Sequence, residues 1–420
     1  MDIPKKLIVG YDLQDDVSQI SCYSYKTYEP VTIGPNEEDE VYQIPTVLCL
    51  KKDTRLWLFG HDALAAVAEG EGILISGLLE KVRKRETVDI LEQSFTAVSL
   101  LEKYLRESLS LLKNYFPTEP ITQLVVTVRD TQPELADGIY QALDQMGIEK
   151  DRAAVISHTG SYLHYVLNQD RTFWMNDIGL FDYNEDGLCY YQISLNRRTK
   201  PIIAGVTKKD LSDTLSYPMR KQKELDLAYT FQNLANMILY KQIISTLYFT
   251  GKGFEGDWAG EVMKGLCTGR RVFLGQNLYS YGACYAAREL SGERKLEDYV
   301  LLNDEMLQAS VSLYAYSDAR MHEVLLTEAA RPWYEINTGI EVIPSGETEM
   351  NFIIKNIMTK EAVSERLPVP HFPDRPDRMT RLGINLTFAS RTSAKIRVKD
   401  LGFGDFCPGT GQTWEYEISL

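Results

Sequence analysis

Carboxylates gather in two turns of the sequence, each at the tip of a predicted β-hairpin. Residues 6–24 read KLIVGYDLQDDVSQISCYS and residues 181–194 read FDYNEDGLCYYQIS, with short apolar strands on both sides of the acids. The aspartates at the two tips are Asp12, Asp15, Asp16, Asp182 and Asp186, and the second tip also carries Glu185. Carboxylates that converge from two turns suit a hard divalent cation, so Asp12, Asp182 and Asp186 are predicted as a magnesium site. The alternative is that these acids serve turn geometry alone, which Asp and Asn favour.

A glycine-rich turn follows the predicted strand TLYFT, in the stretch GKGFEGDW at 251–258. Its glycines, Gly251, Gly253 and Gly256, allow the backbone to approach a ligand closely because they carry no side chain. A flat ligand such as adenine is therefore a candidate occupant of this turn.

Composition excludes several classes of protein. The chain has 420 residues, which at roughly 100 to 200 residues per domain predicts more than one domain. It carries 45 Lys and Arg against 59 Asp and Glu, and this net charge of −14 argues against nucleic acid as a partner. No apolar run approaches the roughly 20 residues of a membrane span, so a cytoplasmic protein is expected. Six dispersed cysteines without a C-x-x-C pair favour reduced thiols over a zinc site.

The elements that position these residues alternate between strands and helices through the first two thirds of the chain. Apolar residues at spacings of three and four predict one long amphipathic helix over 88–115. Two further helices are predicted at about 221–245 and 256–266. From Asp298 onward the pattern changes to alternating strands with tight turns, interrupted by the proline-rich stretch LPVPHFPDRP at 367–376. The last part is therefore predicted to be an all-β domain.

This order of parts resembles that of the actin-like ATPase superfamily. VGYDLQDDVSQISCY resembles the first phosphate hairpin of that family, with Asp12 in its acid position, and FDYNEDGLCYYQIS resembles the second, with Asp182 in its acid position. FTGKGFEGDW is similar to the nucleoside-binding turn, and LGQNLYSYGACYAA is similar to the connecting helix that follows it. The resemblance places five glycines at a nucleoside cleft: Gly10, Gly251, Gly253, Gly256 and Gly282.

The closer resemblance is to the seventy-kilodalton heat-shock chaperones, because it continues beyond the ATPase part. DYVLLND at 298–304 looks like their interdomain linker, and SVSLYAYSDARMHEVLLTEAARPWYEI resembles the first strands of their peptide-binding sandwich. It implies an α/β actin-like ATPase fold of two similar ribonuclease-H-like halves, followed by an all-β sandwich without the chaperones' helical lid. The domains expected are 1–297, with halves of roughly 1–170 and 171–297, then the linker 298–304 and the sandwich 305–420.

Both phosphate turns depart from the chaperone pattern. Gln14, Asp15 and Asp16 stand where the first turn would carry Gly and Thr, and residues 183–186 replace most of the glycine run of the second. Two like charges about 4 Å apart repel by about 4 kcal/mol at an effective dielectric near 20, so a triphosphate is disfavoured between these turns. His158 stands at the position of a metal-side Glu in the chaperones. It is expected to pack between the halves, with proton acceptance as the alternative.

Two further stretches are interpreted through the resemblance. The phosphate-contacting Lys of the chaperones has a counterpart only in the charge run KVRKR at 81–85, which is expected to be a solvated helix face. Tyr314, Tyr316 and Trp333 are predicted to line a peptide slot in the sandwich, with cross-strand packing as the alternative. The proline-rich stretch is expected to be a loop, with a rigid edge or a docking site as alternatives.

Three functions remain open at this point. The first is a chaperone-like protein-binding or scaffolding module with a degenerate ATPase, a protein or peptide partner and no required cofactor. The second is an active ATPase that binds ATP or ADP with Mg²⁺, in which Asp12 and Asp182 arrange the metal and water for phosphoryl transfer. The third is an actin-like polymerising protein. The charge of the two turns favours the first, and the sequence leaves the identity of the partner and the oligomeric state open.

Overall fold

The computed structural model describes residues 6–34, 42–222, 226–346 and 349–420. The sequence also predicts an acidic loop over NEEDE at 36–40, which lies outside these ranges. The chain divides into two compact units. Unit one holds residues 1–195 and 206–299, and unit two holds residues 196–205 and 300–420. The short segment 196–205 thus belongs with the C-terminal unit, although it lies far from it in sequence.

The first half of unit one is built on a mixed sheet. Its strands and helices are β1 (Leu7–Leu13), β2 (Val17–Ser24), β3 (Glu29–Ile33), β4 (Ile44–Pro45), β5 (Leu48–Lys51), β6 (Trp57–Phe59), α1 (Gly60–Ala68), β7 (Gly72–Ile75), α2 (Leu78–Arg83), β8 (Thr87–Ile90), β9 (Gln93–Thr96), α3 (Ala97–Ser110), α4 (Leu112–Tyr115), β10 (Ile121–Val128), α5 (Pro133–Gln145), β11 (Ala153–Ser157) and α6 (His158–Leu167). The strand order is β11-β10-β1-β2-β3, and β4 pairs with β2. The predicted hairpin of β1 and β2 is confirmed, and all seven residues of the central strand β1 are buried.

The second half of unit one continues with a similar series. Its strands and helices are β12 (Asp177–Asn184), β13 (Gly187–Asn196), β14 (Ile202–Asp210), α7 (Leu227–Leu239), β15 (Ile244–Thr250), α8 (Gly260–Leu266), β16 (Arg271–Leu274), α9 (Leu278–Leu290) and β17 (Tyr299–Leu302). Residues 202–205 of β14 and 300–302 of β17 belong to unit two. The strand order is β16-β15-β12-β13-β14-β17. In both sheets the first hairpin strand pairs antiparallel with the second and parallel with the strand that follows the crossover. The two sheets therefore share one arrangement over five strands.

The predicted helix over 88–115 is wrong in its first third, where the structure has the hairpin of β8 and β9. Leu91 and Glu92 have φ values of 48° and 67°, a left-handed turn that a helix does not contain. The helix starts only at Ala97, where the Thr96 side chain accepts a hydrogen bond from the Ser99 amide. The apolar spacing predicted a helix here because it cannot distinguish a short hairpin from one more helical turn.

The predicted helices at 221–245 and 256–266 are both too long. The first begins at Leu227, where the Asp226 carboxylate accepts from the Tyr229 amide, and it ends at Leu239 before strand β15. The second begins at Gly260, because Lys252–Phe254 forms a 3-10 turn and Gly256 has a φ of 89°. Both errors lie at element ends, where capping groups rather than apolar periodicity decide the start.

Unit two is a pair of sheets around one apolar core, and strands follow from residue 299 as predicted. Its remaining strands are β18 (Ala309–Ser317), β19 (Arg320–Thr327), β20 (Asn337–Val342), β21 (Glu349–Asn356), β22 (Ala362–Pro368), β23 (Arg381–Ser390), β24 (Ser393–Phe403), β25 (Cys407–Pro408) and β26 (Thr413–Ser419). One sheet has the order β19-β18-β21-β22, and the other has β20-β23-β24-β25 with β26 paired to β24. Val311 and Phe352 from the first sheet and Leu386 and Ile396 from the second share the core.

In the part of the chain that the structure describes, no helix is both long enough and apolar enough to cross a membrane.

Candidate functional site

Asp12 and Asp182 occupy equivalent positions in the two halves of unit one. Asp12 lies on β1 opposite Thr127 of β10, and Asp182 lies on β12 opposite Thr250 of β15. Both acids are close to the ends of their hairpin strands, and both are buried, with 2% and 5% of their surface exposed. A buried carboxylate requires partners, because isolated charge in the protein interior is costly.

Two rings connect these buried acids. The Nε2 atom of His158 lies 2.8 Å from Oδ1 of Asp12, and the Tyr279 hydroxyl donates to Oδ2 of Asp182 at 2.6 Å. The His158 and Tyr279 rings are stacked, with centroids 3.8 Å apart and planes inclined by 12°. The four side chains form a buried series from one sheet to the other, which we call the acid–ring bridge.

The helices that carry the two rings fix them in place. His158 is the first residue of α6, where the Ser157 hydroxyl accepts from the Gly160 amide, and Tyr279 is the second residue of α9. The Ser161 hydroxyl donates to the Tyr279 carbonyl at 2.9 Å, which joins the two helices next to the stacked rings. The structure therefore places His158 between the halves, as expected, with Asp12 as its hydrogen-bond partner.

The acid–ring bridge lies in a desolvated environment. Burial raises the pKa of the Asp182 carboxyl, an effect that Arg129 and the Tyr279 hydrogen bond partly offset. Burial, followed by the negative charge of Asp182, raises the pKa of Tyr279 well above its ordinary value. Tyr279 therefore stays protonated at neutral pH and remains a hydrogen-bond donor to Asp182.

The acids at the hairpin tips, Asp15, Asp16 and Asp186, each pair with a cation. Asp16 lies 2.6 Å from the Nζ atom of Lys252 in the glycine-rich turn, and Asp186 forms an ion pair with Arg129. Asp15 lies 3.4 Å from Arg83. Each of these carboxylates therefore has a cationic partner, which reduces its repulsion of a triphosphate relative to that of an unpaired charge.

Asp15 has an additional role at the start of α2. Its Oδ1 atom accepts from the Leu79 amide at 3.0 Å, while the residue before the helix, Gly77, has a φ of 64° and no side chain to cap it. The charge run at 81–85 is accordingly only partly the solvated face that was predicted. Lys84 is 59% exposed, whereas Arg83 is 22% exposed and contacts Asp15.

The predicted magnesium ligands are not brought together. Within the described ranges, no group of three or more His, Cys, Asp or Glu side chains is arranged to hold a metal ion. Asp12 and Asp182 are buried and bonded to the two rings, whereas the Asp186 side chain is 73% exposed at the hairpin tip beside Arg129. The separation follows from the hairpin, in which Asp186 lies beyond the end of β12.

Four of the five predicted cleft glycines are explained by packing. A Cβ atom on Gly10 would lie 2.2 Å from the Cys284 amide nitrogen, and one on Gly282 would lie 2.0 Å from the Ser161 carbonyl oxygen. A Cβ atom on Gly251 would likewise collide with the backbone of Tyr183, and one on Gly253 would collide with the Tyr183 ring. Only Gly256 faces open space. These glycines let helix α9 approach β1 and α6, and they let the glycine-rich turn approach the second hairpin.

The space left for a nucleotide is small. The cavity between Gln14, Gln19, Asn184, Lys252 and Tyr279 has a volume of about 20 Å³. Ligand pockets for molecules of nucleotide size occupy roughly 300 Å³ or more. A second cavity of about 330 Å³ lies at the hairpin tips, but five carboxylates and only two guanidinium groups line it. The residues present therefore do not fit Mg·ATP in this conformation.

A cavity of about 690 Å³ lies at one end of the sandwich in unit two. Its lining comes from the ends of several strands: Leu313, Tyr314, Ala315, Tyr316, Met321, Val342, Ile343, Pro344, Ser345, Gly346, Glu349, Met350, Asn351, Arg366, Val369, Phe372 and Leu382. We call it the sandwich slot. Tyr314 and Tyr316 line it and are 42% and 68% exposed, whereas Trp333 lies in a 3-10 turn against Tyr334 and is not part of the lining.

Sequence reasoning missed Tyr279, Lys252 and Arg129. Arg129 directly follows β10, and the carboxyl ends of parallel strands meet at one edge of a sheet, so its proximity to the hairpin tips could have been inferred. Lys252 lies between two glycines of the turn and was a visible cation beside a cluster of acids. No sequence signal distinguishes Tyr279 from the other tyrosines of α9.

Comparison with known families covers both units. The model described as "Family of unknown function (DUF5716) C-terminal" matches residues 29–304, and the model described as "Domain of unknown function (DUF8552)" matches residues 306–420. No curated protein matches the chain. Unit one ends at Tyr299, and the first family match ends five residues later.

Proposed function

Because the chain belongs to the DUF5716 C-terminal family, whose description leaves its function unknown, we propose a function from the two sites themselves. The protein is a binding or scaffolding module related to the seventy-kilodalton heat-shock chaperones. Its actin-like unit has a degenerate nucleotide cleft, and its sandwich slot binds an extended segment of a partner protein. The observation that carries the proposal is the closed cleft, in which acids, rings and cations bond to one another.

The actin-like relationship draws support from the repeated sheet. Each half has an antiparallel hairpin next to two parallel strands, in the orders β11-β10-β1-β2-β3 and β16-β15-β12-β13-β14. Asp12 and Asp182 lie at the same register position of these two arrangements. A duplicated fold with paired acids at its centre is what the resemblance implies.

The closed cleft supports a degenerate ATPase. An acid that binds magnesium and water must be accessible, yet Asp12 and Asp182 are buried and satisfied by His158 and Tyr279. The ion pair of Asp16 and Lys252 joins the first hairpin to the glycine-rich turn. Entry of a nucleotide would require these contacts to break, because the cavity beside Lys252 holds only about 20 Å³ and the cavity of about 330 Å³ at the hairpin tips is lined by five carboxylates.

The sandwich slot supports binding of an extended peptide. It is concave, apolar and polar side chains both line it, and its volume is typical of ligand sites. Glu349 and Arg366 line it with one charge of each sign, and neither belongs to an ion pair among the described residues. A lining with one charge of each sign is electrostatically complementary to a polypeptide that carries both charges, and less so to a polyanion.

The alternative, an active ATPase, is favoured by the matched positions of Asp12 and Asp182. It predicts that Mg·ATP changes the affinity for peptide, because hydrolysis and peptide binding would be coupled. The full chain should therefore be titrated against a fluorescent peptide, chosen from an array of overlapping segments, with and without about 1 mM Mg·ATP, the upper end of typical KM values.

The expected result is saturable peptide binding that Mg·ATP leaves unchanged. Tyr316→Ala should weaken binding about tenfold, since Tyr316 lines the slot, whereas Phe406→Ala should have no effect because Phe406 is 91% exposed and outside the slot. Absence of any saturable binding would overturn the slot proposal. A shift in affinity on adding Mg·ATP would show that a nucleotide binds, which would contradict the closed cleft and favour the ATPase alternative.

A further inference from the structure

The proline-rich segment 368–376 forms one wall of the sandwich slot. It connects β22 to β23, and two of its apolar side chains, Val369 and Phe372, line the slot. Val369 is 3% exposed, and Phe372 packs against the core that both sheets share. The expectation that this stretch is a plain loop is therefore incomplete, because it contributes surface to a cavity.

This wall is held firmly against the second sheet. The indole Nε1 of Trp414 donates to the Pro370 carbonyl at 2.8 Å, and the Tyr416 hydroxyl donates to the Pro368 carbonyl. Arg375 donates two hydrogen bonds of 2.8 Å to the carboxylate of Asp400, a residue that is 1% exposed. Each of these anchors comes from β24 or β26, so both ends of the segment are attached to the same pair of strands.

The sequence of the segment also limits its motion. Prolines at 368, 370, 373 and 376 each fix one backbone dihedral angle, so the segment has few conformations to adopt. A wall that is preorganised in this way cannot retreat to make room for a larger ligand side chain. It can therefore discriminate between ligands by size, which a mobile loop would not do.

From these observations we infer that the proline-rich segment is the selectivity wall of the sandwich slot, and that Phe372 sets the size of the apolar side chain that the slot accepts. The inference rests on the proposed peptide-binding function of the slot. The ligand class is an extended peptide with one apolar anchor residue, whose side chain contacts the Phe372 ring. Phe372 is a specificity-determining residue in this account.

The test uses the full chain and a peptide series that differs only in the anchor residue, which is Ala, Val, Leu, Phe or Trp. The measured quantity is the ratio of the Kd values for the Leu and Trp peptides. Phe372→Ala should shift this ratio about tenfold toward the Trp peptide, because space is opened at the wall. Phe372→Trp should shift it in the opposite direction, and Phe406→Ala should leave it unchanged.

Opposite shifts of the Kd ratio in the two variants distinguish a change in selectivity from a folding defect, since partial unfolding would weaken the binding of all peptides by the same factor. If the wild type binds the peptides but both Phe372 variants keep its ratio, the selectivity wall is refuted while the slot proposal stands. If the wild type binds none of the peptides, the slot proposal fails and this inference fails with it.

Discussion

Replacement of Arg375 by Ala is predicted to destabilise unit two strongly. The side chain of Asp400 is 0% exposed and that of Arg375 is 10% exposed, and two hydrogen bonds of 2.8 Å join them. Removal of the cation leaves a buried carboxylate with only the amide and hydroxyl donors of Gly402 and Thr410. Breaking a buried ion pair from one side typically costs about 3 to 5 kcal/mol, so we expect a loss near the lower bound.

The matched control is Arg397→Ala. Arg397 pairs with Glu415 at 2.8 Å between β24 and β26, but both side chains are 66% exposed. Such a surface pair contributes about 0 to 1 kcal/mol. Urea unfolding followed by circular dichroism would give the free energy of unfolding for both variants. A loss for Arg375→Ala of the same size as that for Arg397→Ala would refute the reasoning.

The pH dependence provides a second readout of the same pair. Arg375 holds the pKa of the Asp400 carboxyl well below its ordinary range. A carboxyl with a depressed pKa stabilises the fold above its unfolded-state pKa of about 4, and this stability is lost as the pH falls below that value. In Arg375→Ala the carboxyl titrates at higher pH, so the acid-induced loss attributable to Asp400 should be smaller than in the wild type.

Three further predictions concern unit one. Burial lowers the pKa of the His164 imidazole to about 4, so the folded state loses stability as the pH falls from 6.5 toward 4. His164→Gln should remove about 2 kcal/mol of that loss, which urea unfolding at pH 7 and pH 4.5 would measure. Tyr279→Phe removes the donor to buried Asp182 and should cost about 2 kcal/mol, and an unchanged midpoint of unfolding would contradict the acid–ring bridge. Gly282→Ala should cost about 3 kcal/mol of unfolding free energy, because its Cβ would lie 2.0 Å from the Ser161 carbonyl oxygen. The control Gly265→Ala in α8 places its Cβ in open space and should be neutral or slightly stabilising. Equal effects of the two variants would contradict the packing explanation.

Much of the fold was accessible to sequence reasoning because it depends on local patterns. The hairpin of β1 and β2 is bounded by alternating apolar residues and by acids that suit a turn, and the structure has it where it was predicted. The hairpin of β8 and β9 was not accessible, because two non-glycine residues adopt positive φ at its turn and give no sequence signal. The association of residues 196–205 with unit two is likewise non-local.

The candidate site was only partly accessible, for an electrostatic reason. Sequence position identified Asp12 and Asp182, but whether an acid is free or paired depends on cations that are distant along the chain. Lys252 lies 236 residues from Asp16, and Tyr279 lies 97 residues from Asp182. The repulsion expected from the sequence leaves these cations out of account, whereas the small cavity beside Lys252 and the acid–ring bridge support the proposal that the cleft does not bind a nucleotide.

The sandwich slot shows the same limit. Tyr314 and Tyr316 were identified from the aromatic pattern of β18, which alternates regularly and so can be read from sequence. Trp333 follows from the same reasoning, yet it lies in a 3-10 turn and packs against the apolar core instead of lining the slot. Phe372 lies in a proline-rich stretch that has no hydrophobic periodicity, so the sequence does not indicate which of its side chains faces a cavity.

The most direct test of the central claim is isothermal titration calorimetry of the full chain with Mg·ATP. The closed cleft predicts no saturable heat at nucleotide concentrations up to about 1 mM, which excludes a binding free energy stronger than about −4 kcal/mol. Asp182→Asn serves as the comparison, because it removes the buried charge that a magnesium ion would need. A saturable signal in the wild type that disappears in Asp182→Asn would contradict the account.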